Sequence, residues 1–98
     1  MSGRYFLRPR ARADLKDIWR FTESRWGSEQ ARIYTALIRQ RMEAVAAKPE
    51  TGRPCPELRA GYFKCPAGSH LLFYRLAGND VEIVRILHQR MDFEQHIP

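Results

Sequence analysis

No run of about 18 apolar residues occurs in this 98-residue chain, which excludes a membrane-spanning helix. Cysteine is nearly absent. Cys55 and Cys65 stand alone, and His70, His88 and His96 follow them at spacings that match no usual metal site. No metal and no other cofactor is expected. Acidic residues are scarce: 11 Asp and Glu face 17 Lys and Arg, for a net charge of +6 and a pI near 9.9. Such a chain attracts acidic partners. No apolar core region opens "MSGRYFLRPRARADLK", so no signal peptide is expected. The expected location is the cytoplasm, with both thiols reduced. Internal repeats and low-complexity segments are lacking too, and the length fits a single domain over 1–98.

The basic excess is uneven. Residues 1–49 carry 11 Lys and Arg against 5 Asp and Glu; residues 50–98 carry 6 of each. The second half, which holds the most suggestive residues, is therefore neutral. This argues against a groove built mainly to track a nucleic-acid backbone, and no sequence-specific DNA binding by the chain itself is expected.

Along the chain, "RYFLR" at 4–8 predicts a short strand with Tyr5 and Leu7 on one face and Phe6 on the other. Pro9 suits a first helical position, where its missing N–H costs nothing. Leu15, Ile18, Thr22 and Trp26, with Trp19, then recur at helical spacing up to Gly27. The tryptophans are read as core, although an exposed pair would be able to stack on bases. Ser28 is expected to cap a second helix, with Ala31, Tyr34, Leu37, Ile38, Met42 and Val45 as its apolar stripe, closed by Pro49. One glycine and a capping serine between the helices require an antiparallel hairpin. "KPETGRPCPELRAG" predicts a loop, and strands are expected over 62–66, 70–76 and 81–87, with "AGND" at 77–80 as a hairpin turn. The order β-α-α-β-β-β defines an α+β fold: a helical hairpin packed on one face of a small, mainly antiparallel sheet.

Strict alternation sets Val81, Ile83 and Leu87 against Val84 and Ile86. It also sets Leu71 and Phe73 against Leu72, Tyr74 and Leu76. Both faces are apolar. Two helices cover one face, and a tail of about ten residues is too short to cover the other, so the expectation is an apolar recognition surface edged with positive charge. Arg75, Arg85, His88 and Arg90, with Tyr62, Lys64 and Tyr74 nearby, form the one set with chemical potential. A histidine and several arginines can cleave a phosphodiester. No paired carboxylate accompanies His88, so the preferred reading is binding and no catalytic residue is assigned. Arginines flanking an apolar groove suit the carboxylates of a ligand.

"RPRARADLKDIWRFTESRWG", "LRAGYFKCPAGSHLLFYRL" and "VEIVRILHQRMD" together resemble the ParE toxins of the RelE/ParE superfamily over nearly the whole chain, with "GSHLLFYR" and "RILHQRMD" the most specific pieces. Arg8 departs from the pattern, standing where relatives often place a Ser or Thr to cap the first helix. The resemblance implies the toxin of a type II toxin–antitoxin pair, neutralised by a ParD-like antitoxin and inhibiting DNA gyrase by binding. The superfamily's other branch, RelE-type ribosome-dependent mRNA endonucleases, is the alternative, since fold alone does not separate them. Antitoxin contacts are expected on the apolar strands and the basic residues beside them, at Lys64, Leu72, Tyr74, Arg75 and Arg85; Lys64, Arg75, Arg85 and His88 are the positions that match the basic set of the RNA-cutting branch. Target contacts are expected at Arg85, His88, Arg90 and Phe93, within the last strand and tail, 85–98. A thin basic set and the lack of a Tyr after the last strand favour the gyrase branch; His88 keeps the nuclease branch open.

Overall fold

The computed structural model describes residues 3–97. Strand β1 (Tyr5–Leu7) leads into helices α1 (Pro9–Trp26) and α2 (Ser28–Ala47). A 3-10 turn (Pro49–Thr51) and strands β2 (Arg53–Pro54), β3 (Tyr62–Ala67), β4 (His70–Ala77) and β5 (Asp80–His88) follow, then a short helix α3 (Phe93–His96). The sheet order is β1-β5-β4-β3-β2. Only β1 with β5 is parallel; the other pairs are antiparallel. The expected α+β architecture is present. The two-residue strand β2 and helix α3 were not foreseen, because elements this short carry no periodicity.

Local chemistry explains the joints. Pro9 opens α1, and Arg8 precedes it without a side-chain cap. Gly27 alone joins the helices, at φ 93°, a conformation open to glycine and costly for other residues. Its N–H closes α1 on the Glu23 carbonyl and its carbonyl accepts from Ala31. Ser28 is therefore already helical and makes no cap bond, contrary to the sequence reading. Gly68 and Ser69 form a two-residue turn between Ala67 and His70. Gly68 sits at φ 62° with the Tyr34 ring so close that a Cβ would lie 2.7 Å from it.

The main core lies between helices and sheet: Ile18 of α1, Ile38, Met42 and Val45 of α2, against Leu72, Tyr74, Val81, Ile83 and Ile86. A second cluster on the opposite face joins Phe73, Val84 and Leu87 to Cys55 and Ile97, with Leu58 and Phe93 packed against it. The expectation of an uncovered second face is thereby corrected. The tail turns back as α3, placing Phe93 and Ile97 four residues apart on the sheet, and the folded loop at 55–61 supplies Cys55 and Leu58.

The expected alternation in β5 is also corrected. Phe73 pairs with Arg85 but Tyr74 pairs with Ile83, so Val84 is an extra residue. This β-bulge inverts the alternation beyond it. Ile86 joins Ile83 on the helix side and Leu87 goes to the second face.

Candidate functional site

Arg85 follows the bulge at the place where β1 has already stopped opposite Ile83. Its side chain is spent on structure. Nε and Nη2 donate to the Asp14 carboxylate at 2.8 and 2.9 Å, and Nη1 donates to the His96 carbonyl at 2.7 Å. Asp14 also accepts the Ile86 backbone N–H at 2.9 Å, which the missing strand partner would leave open. One carboxylate thus ties α1 to the edge of β5, while Arg85 ties that edge to the tail. The bond to Asp14 outweighs burial and raises the Arg85 pKa above its ordinary value. Arg85 is only 7% exposed.

The other expected contact residues separate into three places. Leu72 and Tyr74 are 0% exposed in the helix-facing core and present no surface. The Tyr74 hydroxyl donates to the Pro49 carbonyl at 2.6 Å and accepts the Gly52 N–H at 2.9 Å, clamping the connection after α2. Burial pushes its pKa up to about 12. Lys64 and Phe93 meet on the second face, the ammonium 5.7 Å from the ring, and Phe93 lies 5.1 Å from Phe73. His88 and Arg90 remain together, the Arg90 N–H donating to His88 Nδ1 at 3.2 Å. Pro98, the last residue of the predicted target surface, lies outside the described residues.

His88 faces His70 across β4 and β5, ring centroids 5.3 Å apart. Tyr34 completes the arrangement: its oxygen accepts the Ser69 N–H at 2.9 Å and lies 2.7 Å from His70 Nδ1. The phenol and His70 Nδ1 thus share one hydrogen bond, whose direction is set by the His70 tautomer. Burial first, then the neighbouring His88, lower the His70 pKa to about 4. The pair lines a recess of about 390 Å³ with Phe21, Trp26 and Gln30, at the end of the helical hairpin. Phe21 and Trp26 are 58% and 61% exposed, with Arg25 over both rings. The core reading of Trp26 is thus corrected: its ring lines the recess and stays largely in solvent. Leu37 is exposed as well, against its place in the predicted stripe.

This geometry makes stability depend on pH. Unfolded, His70 takes up a proton near pH 6.5; folded, near 4. Between those values the unfolded chain binds more protons. The contribution is full above pH 6.5 and is lost as pH falls toward 4. Allowing for solvent screening of a partly exposed ring, it amounts to about 2 kcal/mol. Urea midpoints at pH 7 and pH 4 should differ less in His70→Gln than in the wild type, and the His70 ring should titrate near 4 by NMR. A ring that titrates above 6 removes the effect.

On the second face lies another groove, of about 520 Å³, lined by Arg8, Arg59, Tyr62, Phe63, Arg75 and Ile97 among others. Sequence reading singled out Arg75 and Tyr62 there and noted Arg8 only for its place before the first helix; Arg59 comes from a distant loop and carries no local signal. Among the described residues, no group of three or more His, Cys, Asp or Glu is arranged to hold a metal ion, and no helix is long and apolar enough to cross a membrane.

The architecture is that of small toxins solved in toxin–antitoxin systems. A chain of the chromosomal ParDE system of P. aeruginosa superposes with a TM-score of 0.76 at 19% identity, covering 89% of this chain and 96% of that one. A chain of the RelBE2 toxin–antitoxin complex of Mycobacterium tuberculosis gives 0.66 at 23% identity, covering 91% and 100%. At such identities these establish the fold only. Sequence separates the branches. The model of the family described as ParE toxin of type II toxin–antitoxin system, parDE, matches residues 5–93. Toxin ParE1 of M. tuberculosis is 47% identical over 98 residues, covering 99% of this chain and 100% of the relative. Toxin ParE1 of Caulobacter vibrioides is 48% identical over 93, covering 95% and 96%. The chain belongs to the ParE family of type II toxins.

Proposed function

We propose that this toxin inhibits DNA gyrase by binding it, and that a ParD-like antitoxin neutralises it. Family membership across residues 5–93 is the observation that carries the reading, because the link to gyrase comes through the family resemblance. The local chemistry supports occupancy over catalysis. Arg85 is consumed by Asp14 and His96, so it is withdrawn from any transition state. His88 Nδ1 is occupied by a backbone N–H, and His70, held neutral near pH 7 and bonded to Tyr34, is a poor acid. Of the residues expected to touch the target, His88 and Arg90 stay at the surface together, with exposed Met91 beside them. Arg85 supports that surface from within.

Toxin added to gyrase should therefore block supercoiling and accumulate linear DNA, and antitoxin should reverse both. Arg90→Glu should weaken the effect at least tenfold with the fold intact, on the scale of a binding hot spot. His88→Ala should leave growth inhibition nearly unchanged, whereas loss of a true general base costs about 10²–10⁴-fold. Normal supercoiling with toxin in excess would end the gyrase assignment. Loss of both toxicity and ribosome-associated mRNA cleavage in His88→Ala would establish the endonuclease alternative.

A further inference from the structure

Two of the arginines that line the groove on the second face are held by one carboxylate. Glu82 is nearly buried and accepts from two arginines of different elements: Arg8 Nε at 3.0 Å and Arg75 Nε at 2.5 Å. Each guanidinium is held by its Nε alone. The Nη groups of both make no hydrogen bond among the described residues, which leaves the end-on Nη1/Nη2 edge of each guanidinium, opposite its Nε, free to donate. Arg59, exposed and without a side-chain partner among the described residues, lines the same groove. The register explains the convergence: Phe6 pairs with Glu82, Glu82 with Arg75, and Arg75 with Tyr62, so all four side chains stand in one row on this face. Three guanidiniums around one carboxylate leave a local charge of about +2 in formal terms. Burial draws the Glu82 pKa upward, but the bonds from Arg75 and Arg8 outweigh it and keep the group ionised at neutral pH.

We infer that this groove, with Arg8 and Arg75 oriented by Glu82 and Arg59 at its rim, is a carboxylate-binding subsite for an acidic segment of the antitoxin that carries a bulky apolar side chain beside the acid. The inference rests on the proposed antitoxin partner and gives that contact an address other than the expected Leu72, Tyr74 and Arg85. Fixed guanidinium forks with free Nη pairs match a carboxylate in bidentate geometry, and fixing them beforehand lowers the ordering cost of binding. Tyr62 and Ile97 supply an apolar wall. A nucleic-acid backbone fits less well: it needs positive charges strung along a track, whereas these converge on one carboxylate.

The test titrates the toxin with the antitoxin of the same pair at low and high salt. Arg59→Glu should weaken the complex at least tenfold at low salt. Arg39→Glu, the same charge change on the exposed surface of α2, should weaken it less than threefold. Thermal melting of both variants should match the wild type, since both side chains are exposed and neither has a partner among the described residues. Glu82→Gln separates an organised clamp from simple attraction. It makes the groove more positive yet frees both arginines, so the clamp requires weaker binding; tighter binding overturns it. A Lys substitution at one acidic residue of the antitoxin should restore binding to Arg59→Glu. Equal losses in Arg59→Glu and Arg39→Glu would overturn the subsite while leaving the antitoxin reading in place. No complex with the wild-type toxin would overturn both. Arg59-dependent binding of a single-stranded oligonucleotide, with antitoxin affinity unaffected by Arg59→Glu, would overturn the subsite in favour of nucleic acid.

Discussion

Asp14→Ala should destabilise this toxin by about 3–5 kcal/mol, the range for breaking a buried ion pair by removing one partner. The reason is the number of groups that one carboxylate satisfies. It pairs with both Nε and Nη2 of Arg85 and accepts the Ile86 N–H beside the bulge. Without it, a guanidinium that is 7% exposed keeps only the His96 carbonyl, and an unpaired backbone donor is left at the sheet edge. Asp14→Asn should fall between wild type and Ala, because it keeps an acceptor and loses the charge. Urea unfolding at pH 7 measures both. A cost below about 1 kcal/mol for Asp14→Ala, the level of a surface ion pair, would mean that water replaces the carboxylate.

The second large effect is expected from truncation after Met91. The deleted segment contains Phe93 and Ile97, which pack on Phe73, Val84 and Leu87. Burying such a side chain fully stabilises by about 1.5–3 kcal/mol; with Phe93 only half-buried, the loss should be about 3–5 kcal/mol, and Arg85 also loses the His96 carbonyl. The truncated chain should bind a hydrophobic dye and melt broadly or at much lower temperature. A sequence-level view treats the tail as a detachable target-binding segment; the structure makes it the cover of a second core. Loss of gyrase inhibition on truncation therefore reports on folding first. Arg90→Glu, at an exposed side chain, is the cleaner probe of target contact. Unchanged melting of the truncated chain would show that the second face tolerates solvent.

Much was determined by local rules acting on the sequence alone. Proline at the first helical position, one glycine between two helical stripes, and two-residue turns set the helical hairpin and the β3–β4–β5 meander, because each depends on few neighbouring dihedral angles. The pattern of quoted segments pointed to the family for the same reason: it is a linear property. What the tertiary structure alone decided lies where a residue's role depends on a partner far along the chain. One extra residue in β5 inverted the faces of Ile86 and Leu87, and a bulge leaves no mark in composition or period. Arg85 looked like a surface cation until Asp14, 71 positions away, neutralised it. Tyr74 looked like a contact residue until its hydroxyl met Pro49 and Gly52. Arg8 and Arg75 gained a common purpose only when Glu82 came between them. Burial and pairing are sums over all elements packed around a side chain, so an arginine's availability is a property of the assembled fold, whereas its tendency to sit in a helix or strand is already present in its neighbours.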